Sequence, residues 1–163
     1  TFFWSFTDDH VELVKDRAYG GQGPEGAASA KAALAIALDV QLRLFAPFLP
    51  FVTEEVWSWW QDGSVHQATW PSAEELSALA ADGDRSTVAD IAVALSGVRR
   101  AKSEAKASMK ADVDRAVISG PADSIERIGT AKDDLAAAGR IAELVLAPGG
   151  EAISVDVTLA PTD

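Results

Sequence analysis

The sequence predicts a mostly α protein: a helical bundle over residues 1–110, followed by a small α+β unit with a short β-sheet over 111–163. Two observations carry that expectation. Apolar residues recur at helical spacing through the first two thirds of the chain and alternate at a period of two near its end. With 163 residues, 48% of them apolar, the chain can also close a hydrophobic core.

Each element follows from its local pattern. Residues 2–18 read as a helix with Phe3, Phe6, His10, Leu13 and Val14 on one side and Asp8, Glu12 and Lys15 on another. Its start, TFFWSF, lacks an initiator methionine, a cap and the positive leader of a signal peptide, so the chain is expected to open inside a helix. Gly20-Gly21-Gln22-Gly23-Pro24 ends that helix as a loop. Residues 25–46 form a second helix with two apolar rows, Leu34/Leu38/Leu42 and Ile36/Val40/Leu44, which predict cover on both sides. Asp39 and Arg43 are placed to pair at i, i+4. Pro47 and Pro50 interrupt the backbone, and Thr53 is expected to cap a helix beginning at Glu54. Residues 64–71 read as extended, and Ser72 with Glu75 forms a capping box. A long helix is expected from Ser86 to Lys110. Then come a strand at 112–119, a helix from Pro121 to Ala138 ended by Gly139, a strand at 141–147 and a last strand. In the last strand Ile153, Val155, Val157 and Leu159 alternate with Ser154, Asp156 and Thr158. Phe3, Leu38, Leu42, Phe48, Trp57 and Leu95 are the expected main core.

The chain has no cysteine, which excludes disulfides and thiolate metal sites. Charges such as Asp39 and Arg43 break every stretch of membrane-spanning length, so no membrane partner is expected. In Asp8-Asp9-His10-Val11-Glu12, His10 points away from the acids, which argues against metal binding. Neither GxSxG nor a phosphate-cradling glycine loop is present, and Glu54 and Glu55 suit the start of a helix; no catalytic residue is expected. Trp57, Trp59, Trp60 and Trp70 suit packing anchors better than a base-stacking platform.

The formal charge of −11 argues against indiscriminate coating of nucleic acid, DNA included. Yet Arg99, Arg100, Lys102, Lys106 and Lys110, five of the fourteen basic residues, fall in a stretch with one acid, Glu104. On a continuous helix Arg99, Lys102, Lys106 and Lys110 share one side, while Val98, Ala101, Ala105 and Met109 form the neighbouring stripe. A solvated face is the plain alternative. An acidic body with one basic strip suits a protein that holds a polyanion in a single orientation.

APFLPFVTEEVW, Ala46 to Trp57, resembles the signature in the helical anticodon-binding domain of class I aminoacyl-tRNA synthetases for aliphatic amino acids. FFWSFTDDHVELVKDRAYG, Phe2 to Gly20, and GSVHQATWP, Gly63 to Pro71, are similar to the corresponding segments of valyl-tRNA synthetases. The three blocks match in order and cover about the first 70 residues. The resemblance implies a cytoplasmic module that holds the anticodon stem-loop of valine tRNA while the catalytic domain of the same polypeptide, an ATP-dependent valine–tRNA ligase, attaches the amino acid. The family's HIGH and KMSKS signatures have no counterpart here, so ATP is expected in the catalytic domain and no cofactor in these residues. The first bundle helix is expected upstream of Thr1, and the coiled-coil arm found in many members of the family is not expected within these residues. The basic stripe is then expected to anchor phosphates, with Lys15 and Arg17 beside it. The rival is a protein-docking helical module whose acidic surface, Asp133 and Asp134 included, meets a basic partner; a free-standing metal hydrolase lacks the ligands.

Overall fold

The computed structural model describes residues 4–79 and 83–161. The chain is mostly helical with a three-stranded mixed sheet, as its periodicities require. Contacts divide it into two compact units, Thr1–Ala27 with Asp84–Asp163, and Ala28–Gly83. Residues 85–104, expected with the bundle, therefore belong to the same unit as the sheet.

In the first unit a π-helical stretch, Ser5–Val11, runs into α1, Glu12–Ala18, and Leu13 and Val14 are buried. The rings of Phe6 and His10 stack 5.7 Å apart, as their shared side implied. After the turn at 19–22, α2 (Gly23–Phe45) begins. The unit resumes with α5, Arg85–Glu104, whose N-cap Asp84 accepts from the Ser86 amide at 2.8 Å. The sheet has β1 (Val113–Gly120) at its centre, parallel to β2 (Ile141–Pro148) and antiparallel to β3 (Ser154–Leu159). A parallel pair needs a crossover, and the expected single helix from 121 to 138 supplies it in two pieces, α6 (Ala122–Gly129) and α7 (Lys132–Gly139). In β3 the apolar residues are half-buried and the polar ones exposed, matching the alternation. Ile91, Leu95 and Val98 of α5 join Val113, Ala116 and Ile118 of β1 in one core, with Ile125, Ile128 and Leu135 from the crossover. Helix and sheet meet closely at Gly97, where an added Cβ would lie 2.6 Å from Val155 Cγ2. Any larger residue there would force Val155 to shift.

The second unit holds the rest of α2, then α3 (Pro50–Ser58), a 3₁₀ turn at Val65–Gln67 and α4 (Ala73–Leu79). Helix α3 starts at Pro50, which sits in the first turn where its missing N–H costs nothing, not at the expected Thr53 cap. Thr53 instead lies buried inside the helix and donates to the Leu49 carbonyl at 2.8 Å. Glu54, one turn in, accepts from Ser64 Oγ at 2.9 Å and from the Val65 amide at 3.1 Å, tying down the following loop. Ser72 and Glu75 make both hydrogen bonds of the capping box. Arg43 is buried between Asp39 at 2.6 Å and Glu75 at 2.7 Å, so the expected pair becomes a triad.

The core of this unit is small: Leu42, Ala46, Trp57 and Val65. Of the expected core residues, Leu42, Trp57 and Leu95 are buried, in two clusters rather than one. Phe48 is exposed and Leu38 is 38% exposed; Phe3 lies outside the described residues. The two rows on α2 predicted cover on both sides, but among the described residues only Leu42 of the six is buried. Among the described residues α2 buries Ala30, Leu42 and Arg43, and a row becomes core only where something packs on it. Trp57 is the one packing anchor among the expected indoles; Trp59, Trp60 and Trp70 are exposed.

Candidate nucleic-acid interface

The expected continuous basic stripe breaks at its second member. Helix α5 ends at Glu104 rather than Lys110, and Lys106 adopts a left-handed backbone, φ 53°. Beyond that point helical spacing no longer governs which way a side chain faces. Lys102 is 2% exposed, so it cannot anchor a phosphate at the surface. Its position continues the buried row Ile91, Leu95, Val98, each three or four residues from the next. The aliphatic stem extends that core, and the amine donates to the Gly139 carbonyl at 2.8 Å and the Met109 carbonyl at 3.2 Å. Gly139 closes α7, where unpaired carbonyls and the helix dipole favour a cation. Burial lowers the Lys102 pKa, the charge of Arg140 adds to that effect, and Asp112 opposes it.

The same contacts build a cleft of about 720 Å³ between α1, α5, the 105–112 loop and the end of α7. Lys15, Arg99, Lys102 and Lys110, four of the sequence-predicted residues, line it together. Arg140 and Tyr19 join them, and neither was expected from the sequence. Arg140 holds the left-handed position that ends α7, φ 56°, and its guanidinium is 2.7 Å from Asp112. Tyr19, the C-terminal cap of α1, is 87% exposed. Glu12 and Asp16 are the acids of the lining. Lys15 pairs with Glu12 at 3.3 Å and Arg99 with Asp9 at 3.0 Å, both partly open to solvent. Lys110 has no carboxylate within ion-pair distance among the described residues. Five cations and two acids line this cleft, a local excess of basic residues in a chain of net charge −11.

Three expected candidates lie elsewhere. Arg100 is exposed and pairs loosely with Glu104 at 3.7 Å. Lys106 is exposed beyond the helix. Arg17 turns inward to Asp134 at 2.9 Å, where Gln22 also donates at 2.7 Å. This pairing bears on the rival reading too. Asp134 is 5% exposed and satisfied from within the unit, so it is not part of a docking surface. His10 packs nearby with a lowered pKa, through burial first and the charge of Arg17 second, against the pull of Asp134.

A family model described as the anticodon-binding domain of tRNA ligase matches residues 1–118. Among curated relatives, the valine–tRNA ligase of Thermobifida fusca (strain YX) is 56% identical over 99% of this chain and 18% of its own length. That of Leifsonia xyli subsp. xyli is 50% identical over 98% of this chain and 18% of its own. That of Cutibacterium acnes is 46% identical over 97% and 18%. The chain thus spans about a fifth of the length of these relatives.

Proposed function

The chain belongs to the family of anticodon-binding domains of tRNA ligases, and from that membership we propose that it grips the anticodon arm of valine tRNA in the cytoplasm. Activation of valine with ATP and its transfer to tRNA are assigned to a separate catalytic domain of the same polypeptide, as the length of the relatives suggests. The observation that carries the reading is the convergence of Lys15, Arg99, Lys110 and Arg140 on one cleft of an otherwise acidic chain. Phosphates held there set the register of the arm, while base contacts carry the sequence preference. Lys102 contributes by fixing the walls, not by touching RNA.

The test is the salt dependence of valine tRNA binding to the full-length ligase. With about three or four phosphate contacts, log affinity should fall against log salt with a slope of roughly −2 to −3, and Lys110→Ala should flatten it by somewhat under one unit. Preference for the valine anticodon should survive that change. A slope that ignores Lys110, Arg99 and Arg140 alike would place the grip outside this cleft.

A further inference from the structure

Tyr19 is the largest side chain of the cleft that the fold does not use. Its backbone is fixed, with its amide donating to the Lys15 and Asp16 carbonyls, each at 3.1 Å. The chain then turns away through Gly20, φ 98°, and Gly21. Gly21 presses so closely on Asp16 that an added Cβ would lie 2.0 Å from its carboxylate. The backbone at Tyr19 is hydrogen-bonded into the end of α1 while the ring is 87% exposed, an arrangement that offers a flat apolar face to a ligand. The same cleft is lined by Leu95, Val98 and Met109 and by the cations Lys110 and Arg140. The cleft volume, about 720 Å³, falls in the range of about 300–1,000 Å³ typical of sites for small organic groups. An aromatic face, apolar side chains and cations together match the parts of an unstacked nucleotide: base, sugar and phosphodiester.

We propose that this cleft is a subsite for one splayed nucleotide of single-stranded RNA, its base stacked on Tyr19 and its phosphodiester held by Lys110 and Arg140. Glu12 and Asp16 at the same cleft favour a singly charged diester over a terminal phosphate and offer acceptors to a base amino group or a 2′-hydroxyl. This rests on the anticodon-arm reading, and the experiment separates the two.

The experiment titrates full-length ligase against the anticodon stem-loop RNA of valine tRNA and against versions with each loop base removed in turn. One abasic position should weaken binding by roughly 5- to 100-fold, the scale of a single base–aromatic stack. Tyr19→Ala should weaken the intact loop by a similar factor and make that one abasic position silent, and Tyr19→Phe should restore both. Lys110→Ala should weaken every loop alike. If Tyr19→Ala changes no affinity, or lowers all of them equally, the subsite is wrong while the anticodon-arm reading stands. If the unsubstituted protein ignores the intact stem-loop, that reading falls and the subsite with it.

Discussion

The two units bury their apolar residues by different means. In the unit of Thr1–Ala27 and Asp84–Asp163, a sheet and four packed helices surround Leu95, Ile118, Ile128 and Leu135, and among the described residues its core runs to thirteen buried apolar side chains. In Ala28–Gly83 four residues form the core, and the triad of Arg43, Asp39 and Glu75 closes it. The difference lies in architecture more than in composition. A sheet presents a whole face to a helix, whereas one long helix met by short ones leaves most of its length bare. The richer unit is also the one that holds the cleft, which suits a site whose side chains need rigid support.

The sharpest way to break this comparison is a matched pair of leucines. Leu95→Ala, at a position 1% exposed in the first unit, should cost about 2–5 kcal/mol. Leu38→Ala in the second should cost about 1 kcal/mol or less, because its side chain is 38% exposed. Urea unfolding followed by amide exchange in β1 and, in a Trp4→Phe background, by tryptophan fluorescence reads both, since Trp4 lies in the first unit and Trp57, Trp59, Trp60 and Trp70 all lie in the second. If Leu95→Ala shifts both signals equally, the units unfold as one and the comparison fails.

A smaller effect is expected at Gly97. An alanine Cβ there would meet Val155 Cγ2 at 2.6 Å and Cβ at 2.8 Å, and a β-branched neighbour has little rotamer freedom to yield. Gly97→Ala should cost about 1–3 kcal/mol, recovered in part by Val155→Ala, as a thermal melt of the single and double variants would show. Equal melting of the single variant and the parent would mean that the helix and sheet are not held so close.

The smallest effect separates the units by acid. Burial lowers the pKa of His10 from its ordinary 6.5, so the unfolded chain takes up a proton that the folded one refuses. Stability of the first unit is then lost as pH falls through 6.5 toward the folded value. Glu75 is held below its ordinary 4.5 chiefly by the hydrogen bond from Arg43. Its contribution to the second unit is present above 4.5 and lost as pH falls through the folded value. Exchange measured from pH 7 to 4 should show the first unit weakening first, and His10→Phe should remove that early loss.

What the sequence made legible is what neighbours in the chain decide. The alternation in 153–159, the capping box at Ser72 and the stop at Gly139 are local patterns, and each appears in the structure. The end of α5 is not local. Nothing in Ala105-Lys106-Ala107-Ser108 forbids a helix, yet the chain leaves it there, and Lys102 holds the returning Met109 carbonyl. Lys102 and Lys106 are the same residue type at helical spacing, but only the former meets the end of α7. Arg140 and Tyr19 reach the cleft through tertiary contacts that no spacing encodes. Four of the seven predicted residues converged there even though the helix meant to align them ended early.

The first unit is discontinuous along the chain, and this has a consequence for its birth on the ribosome. Gln22 waits for Asp134, 112 residues later, and Asp9 waits for Arg99, 90 residues later. At about 5–20 residues per second the first of these gaps takes roughly 6–22 s to synthesise. Throughout that interval the helix α1 carries Leu13 and Val14 without α7, against which it packs, while the contiguous residues 28–83 emerge in between. Of this unit, the segment made earliest is therefore among the last to find its place, and its apolar face stays open to solvent until the residues that cover it have been made.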